Sequence, residues 1–365
     1  MNRVSRLLFI VPRYGSIFRG VESFAAELVS RLNTARFEVT VLSGHHIFDI
    51  PGIQFEKGRL VSREGLGWID CRPWLCRLLR RVGLGGAADI EALTLLRGYR
   101  GHWAPDAFDI VVPLGGSWSY RFARQAFPEA RIVSIGQAGP VAADLRRSNV
   151  FVGLTPHAEV RARQISPNLS TCIIPNGVDT ERFTPSTEAS ALRCLQQRVI
   201  LCAAALVPEK RHDLLFNAVM RLPDHVRVKC VGAGSHRVAL EKHPLAKAGR
   251  VEFSQHTFAE MPAVYRGADV FSLASPDEAF GIVFWEAMAA GLPVVAHDGP
   301  RQRYVVDRGG ILCDVNRPQA YGEALLSVLD TAPSQQARSQ ALRFDWSRIA
   351  AEYDRLFSGL GSRNP

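Results

Sequence analysis

Along this chain, short and continuously apolar runs alternate with stretches in which apolar residues recur every three or four positions. RLLFIVP (6–12) is followed by GVESFAAELVSRL (20–32) and FEVTVL (37–42), and later come FDIVVPL (108–114), ARIVSIG (130–136) and NVFVGLT (149–155). A strand covered on both faces reads as an unbroken apolar run, and helices between such strands form the crossovers of a parallel sheet. The first half therefore predicts a Rossmann-like α/β sandwich. TCIIPNGVDTERFTPS, punctuated by Pro, Asn and Gly, has linker character. The pattern then restarts with RVILCAAAL (198–206), HDLLFNAVMRL (212–222), VRVKCVG (226–232), ADVFSLAS (268–275) and LPVVAH (292–297). A second Rossmann-like domain follows, with expected bounds of 1–175 and 176–345. DWSRIAAEYDRLFSGL (345–360) places Trp346, Ile349, Ala350, Tyr353, Leu356 and Phe357 at helical spacing, so 346–365 is expected to pack as a helix back onto the first domain. Open parallel sheets bind ligands at the C-terminal ends of their strands, which predicts two domains facing each other across a cleft.

Composition changes little of this picture. A 365-residue chain with 47% hydrophobic and 22% charged residues suits a globular protein with two cores. Its seven cysteines, at 71, 76, 172, 194, 202, 230 and 313, are odd in number and include no CxxC pair, which argues against a disulfide framework or a zinc site and for a reducing, cytoplasmic setting. The opening MNRVSRLLFIVP mimics a signal peptide, but its apolar run is six residues and ends in Pro, so it reads as a buried strand. No window of 18 residues is apolar throughout, so any membrane contact is expected to be peripheral, on the cytoplasmic face.

Charge is uneven. Residues 1–165 carry 22 Lys/Arg against 14 Asp/Glu, a net +8, while 166–365 carry 22 against 21, a net +1. A basic half suits nucleic acid, an anionic membrane surface or acidic substrates. With no RNP-like aromatic run, zinc finger or helix-turn-helix pattern, nucleic acid is set aside. RPWLCRLLRRVGL (72–84), drawn as a helix, puts Trp74, Leu75, Leu78, Leu79 and Val82 on one side and Arg77, Arg80 and Arg81 on the other. That pattern fits an interfacial helix on anionic lipid and a core-facing surface helix equally.

The candidate chemistry lies in the second half. ASPDEAFGIVFWEAMAAGLPVVA (274–296) sets Glu278 and Glu286 in an almost wholly apolar run, where an unpaired carboxylate costs several kcal/mol. Either protein partners satisfy them, as an acidic helix cap and a paired buried Glu would, or they await a ligand. The turn at Phe280–Gly281 would let backbone N–H groups approach that ligand closely, and carboxylates accept hydrogen bonds from sugar hydroxyls. In VPEKRHDLLFNAV, Lys210 and Arg211 sit between a strand and a helix. This is an anion site if ligated and a solvated basic turn if not. VGAGS (231–235) is explained equally well by a tight turn.

Together these stretches resemble family 4 retaining glycosyltransferases of the GT-B fold. The acids Glu278 and Glu286, with the internal FG and the following AMAAGLPVVA, look like that family's signature. RGVESFAAELVSRL resembles its glycine loop and first helix, IIPNGVDTERFTP its inter-domain segment, and VPEKRHDLLFNAV its diphosphate-binding region. FAEMPAVYRGADVFSLAS also matches, so the resemblance runs from about residue 6 to residue 357. It implies transfer of a sugar from a nucleoside-diphosphate donor to a glycan or lipid-linked acceptor in polysaccharide or glycolipid synthesis. Glu286 would hold the ribose hydroxyls, and Glu278, with Phe280, Gly281 and Ile282, the transferred sugar. Lys210 would neutralise the diphosphate, the loop at Gly20 would close on it, and the base would lie near 255–258. The family usually carries an arginine where Ala205 stands, and Arg211 is the expected replacement. It commonly has a histidine near the reacting carbon where this chain offers Gln137, which can orient a hydroxyl but not act as a base. The alternative is a non-catalytic subunit that binds nucleotide-sugar. No cofactor is expected: the chain has no DxD to hold a metal on a diphosphate, and cations can stabilise the leaving group.

Overall fold

The computed structural model describes residues 4–14, 20–45, 50–61, 66, 69, 72–81, 84–137, 139–185, 197–276, 280–329 and 334–361. The chain forms two compact units, Met1–Pro175 with Ile349–Pro365, and Asn176–Arg348. The helices that matter below are α1 (Gly20–Val29), α2 (Pro73–Arg81), α3 (His212–Val219), α4 (Met261–Arg266), α5 (Ile282–Ala289), α6 (Pro300–Val306) and α7 (Trp346–Gly361).

The first unit holds a seven-stranded sheet. Its strands are β1 (Ser5–Ile10), β2 (Phe37–Ser43), β3 (Ile53–Lys57), β4 (Ile110–Pro113), β5 (Arg131–Ile135), β6 (Val150–Gly153) and β7 (Ser170–Ile173). They lie in the order β3-β2-β1-β4-β5-β6-β7, every pairing parallel. The apolar runs of β1 and β4 are fully buried because helices cover both faces. The sequence order reverses between β1 and β4, which is where an open sheet of this kind leaves a crevice at its strand ends.

The C-terminal helix α7 belongs largely to this unit. Its fully buried Phe357 ring meets Phe9 of β1 and Phe37 of β2 edge-on, each with centroids 6.2 Å apart. Tyr353, one turn earlier, meets Phe24 of α1 at 5.8 Å. The spacing of apolar residues along α7 is thus matched to the outer side of β1 and β2.

The second unit repeats the plan with six parallel strands. These are β8 (Arg198–Ala203), β9 (Val226–Val231), β10 (Val251–Ser254), β11 (Val270–Leu273), β12 (Val294–His297) and β13 (Gly310–Cys313), in the order β10-β9-β8-β11-β12-β13. Here the reversal falls between β8 and β11. The segment TCII, read above as linker, is mostly strand β7.

Candidate functional site

In the second unit the loops that leave β8 and β11 flank the switch point, and both carry candidate residues. The β8 loop ends in a single 3-10 turn, Pro208–Lys210, followed by α3. Arg211 joins the two in the left-handed conformation, φ 54° and ψ 41°. For a residue with a Cβ this costs about 1–2 kcal/mol, and such strain concentrates where function requires a particular backbone path. Its Nη2 donates to Asn316 Oδ1 at 3.0 Å, so the guanidinium reaches the turn that follows β13. Lys210 is half-buried in the same turn, and Ala205 is exposed.

The VGAGS motif proves to be structural support for that loop. A Cβ at Gly232 would lie 2.1 Å from the Ala204 carbonyl oxygen, and one at Gly234 2.2 Å from that of Leu206. Backbone bonds from Leu206 N to Ala233 O (2.9 Å) and from His236 N to Leu206 O (2.9 Å) lock the two loops together. Behind them the His212 ring is fully buried. Burial lowers its pKa, contact with the Cys202 thiol raises it, and the second effect prevails.

On the other side of the switch point, Gly281 precedes α5 in the left-handed conformation, φ 75° and ψ 57°, which glycine adopts without strain. Helix α5 is apolar almost all round and accordingly sits in the core. The buried Phe280 ring stacks on Trp285 at 5.7 Å, and Trp285 in turn packs on Phe344 at 3.8 Å. Only Phe280 backbone is therefore available to a ligand. Ile282, the first residue of α5, is half-buried. Glu278 lies outside the described residues. The loop leading to it is tied down by Gln302 of α6, whose buried amide donates to the Ser275 and Pro276 carbonyls at 3.1 and 3.3 Å.

Glu286 is the single polar residue of α5, half-buried, and its Oε2 accepts a 2.6 Å hydrogen bond from the Tyr265 hydroxyl. Of the two possibilities left open by the sequence, a protein partner is present at this carboxylate. A buried phenol on α4 already satisfies part of it, as a carboxylate set into an apolar helix requires. Burial first, and the Glu286 charge second, push the Tyr265 pKa well above its usual value, so the phenol remains a proton donor.

The stretch 255–258 follows β10 and leads into α4. Its Phe258 is fixed by Arg182, whose guanidinium lies 3.6 Å over the ring and whose Nη2 donates to the Phe258 carbonyl at 2.6 Å. Sequence reasoning missed Arg182, Tyr265 and Gln302. Each acts across 21 or more positions of chain, and none carries a local signal of its pairing.

In the first unit the corresponding strand ends hold Gly20, which is exposed and starts α1, and Gln137, half-buried just after β5. At the end of β4, a Cβ at Gly116 would strike Asp89 Oδ1 at 2.5 Å, and that oxygen caps the next helix by accepting from Trp118 N at 2.9 Å. Asp144 is buried nearby. Its pKa is raised by burial above all, with Ser117 opposing and Asp89 adding to the rise. Among the described residues no three His, Cys, Asp or Glu side chains are grouped to hold a metal ion.

Comparison with known proteins places this geometry. Residues 187–343 match the model of the family described as glycosyl transferases group 1. D-inositol 3-phosphate glycosyltransferase of Xylanimonas cellulosilytica is 30% identical, over 65% of this chain but only 62% of its own length. A Mycobacterium tuberculosis protein, GDP-mannose-dependent α-(1-6)-phosphatidylinositol monomannoside mannosyltransferase, is 30% identical over 98% of this chain and 97% of its own. The chain belongs to the group 1 glycosyl transferases. Sucrose-phosphate synthase from Thermosynechococcus elongatus superposes with a TM-score of 0.78, covering 98% of this chain and 99% of its own at 18% identity, which shows the shared GT-B fold of two parallel-sheet α/β domains. In this group 1 glycosyl transferase the family match covers nearly all of the second unit, where Lys210, Gly281 and Glu286 lie.

Proposed function

We propose that this group 1 glycosyl transferase moves a sugar from a nucleoside-diphosphate sugar to a glycan or lipid-linked acceptor. The observation that carries the reading is the switch point of the second sheet. A cation turn (Lys210, Arg211) leaves one flanking strand, and a glycine turn with a fixed carboxylate (Gly281, Glu286) leaves the other. The turns suit the two ends of one ligand: diphosphate at the lysine and at helix N-termini, ribose hydroxyls at Glu286. Glu278 and the backbone at Phe280, Gly281 and Ile282 are assigned to the transferred sugar, and Gly20 and Gln137 of the first unit to substrate contact.

The reaction follows from the charges. Departure of the nucleoside diphosphate builds negative charge on its oxygens, and Lys210 with the preorganised helix ends stabilises it without a metal. Gln137 orients a hydroxyl. The resemblance to retaining enzymes implies the rest: the acceptor oxygen bonds to the anomeric carbon on the face that the diphosphate leaves, the departing phosphate takes the acceptor proton, and configuration is retained. The glutamates are binding groups and not the acid/base pair of a glycosidase. Incubation with UDP-, GDP- and ADP-sugars and an acceptor extract is expected to release nucleoside diphosphate with one donor. Binding without hydrolysis or transfer would instead leave a non-catalytic nucleotide-sugar-binding subunit, the alternative raised by Ala205 and Gln137.

A lipid-linked acceptor is supported by α2. Trp74 and Leu78 on this helix are 58% and 52% exposed, while Leu75 and Leu79 are half-buried and Arg77 is exposed. Large apolar side chains beside exposed arginine suit the interface of an anionic bilayer. No described helix is long and apolar enough to cross a membrane. Co-sedimentation with vesicles containing anionic lipid is expected, and should be lost when Arg77, Arg80 and Arg81 become Glu. Equal sedimentation of the two proteins ends the membrane reading.

A further inference from the structure

The geometry points to Tyr265 as a positioning residue for nucleotide binding, one that fixes the carboxylate plane of Glu286; the inference rests on the assignment of Glu286 to ribose. Its hydroxyl donates to Glu286 Oε2 at 2.6 Å, and its ring is fully buried. The ring cannot swing aside. Phe183 meets it edge-on at 5.6 Å, and Phe271 of β11 lies against it at 5.9 Å.

The frame that holds Tyr265 also holds the helix carrying Glu286. Arg338 Nη1 donates both to the Phe183 carbonyl, at 3.0 Å, and to the carbonyl of Ala289 at the end of α5, at 2.6 Å. Phe183 follows Arg182, which clamps Phe258 at the entry to α4. One short segment, 182–183, therefore braces both the loop assigned to the base and the donor that orients the ribose carboxylate.

A vicinal diol is best bound by a carboxylate whose plane is already set, since the ligand then pays no cost of ordering a three-torsion side chain. The phenol takes one of about four acceptor positions on the carboxylate and directs the remainder. It also supplies the donor that lets the charge sit in an apolar helix. Without the hydroxyl, Glu286 keeps its charge and loses the bond that sets the position of Oε2.

Titration of UDP and GDP by calorimetry into the wild type, Tyr265→Phe, Glu286→Gln and the double variant tests this. Tyr265→Phe keeps the ring and its packing. It is expected to weaken the tighter-binding nucleotide by about 3- to 10-fold, as ordering one freed side chain on binding does. In the Glu286→Gln background the same change is expected to have less than about a twofold effect, because the orientation it serves is already lost. Unchanged affinity in Tyr265→Phe, or the same factor in both backgrounds, overturns the positioning role while leaving the ribose assignment intact. Unchanged affinity in Glu286→Gln overturns the ribose assignment itself. The melting midpoints separate packing from orientation: a purely structural role for the hydroxyl would lower them, and the affinity, equally in both backgrounds.

Discussion

Alanine at Lys210 should lower kcat/KM by about 10²- to 10³-fold, the scale seen when one preorganised charge-stabilising group is removed from a transition state. The lysine ends the 3-10 turn that leads directly into α3, so its charge adds to the helix N-terminus where the diphosphate is assigned. Arg211 cannot replace it fully, because its guanidinium is engaged by Asn316. More negative charge sits on the leaving group in the transition state than in the bound donor, so kcat should fall further than nucleotide affinity. Lys210 is half-buried in a surface turn, and stability should stay within about 0.5 kcal/mol. Initial-rate kinetics with the productive donor measure the effect. A loss of less than about threefold would place the diphosphate elsewhere.

The second large effect concerns stability. Phe357→Ala removes a fully buried ring that meets Phe9, Phe37 and Tyr353, with centroids at 6.2, 6.2 and 5.8 Å. A buried Phe→Ala change costs about 3–5 kcal/mol. Strands β1 and β2 receive that ring, so the loss should appear in the thermal transition of the first unit, lowering it by about 10 °C. The second unit, built on its own sheet, should melt as before. Calorimetry resolves the two when they unfold separately. A first-unit midpoint within about 2 °C of wild type would mean that α7 is not a structural part of that core.

The sequence made the central strands legible and left the edges obscure. Runs such as LLFIVP and VILCAAAL are apolar throughout because helices cover both faces of the strands they form. The four strands that the pattern did not mark, β3, β7, β10 and β13, are the four sheet edges. Their residues are largely half-buried or exposed, as in IQFEK and VEFS, so the continuous apolar run is missing. TCII looked like linker for this reason.

At the site, placements set by local backbone chemistry were readable. Gly281 announces a left-handed turn, and Lys210 with Arg211 announces a basic helix entry. Residues that act through distant partners were not. Tyr265 reads as one more aromatic in a helix until its hydroxyl is seen on Glu286. The strain at Arg211 was also hidden, because arginine gives no sign that its backbone must adopt a conformation that favours glycine. The GxG of VGAGS was visible, but its purpose, letting the loop after β9 lie against the one after β8, depends on contacts between neighbouring strands.

Glu286 is the residue on which nucleotide binding at the second sheet's switch point depends most directly. Titration of UDP and GDP against the wild type and Glu286→Gln measures it with no acceptor required. Losing the charge-assisted bond to ribose should weaken nucleotide binding by roughly 10- to 100-fold, equivalent to about 1.5–3 kcal/mol. Equal affinity in the two proteins would contradict the placement of the nucleotide at the second sheet's switch point.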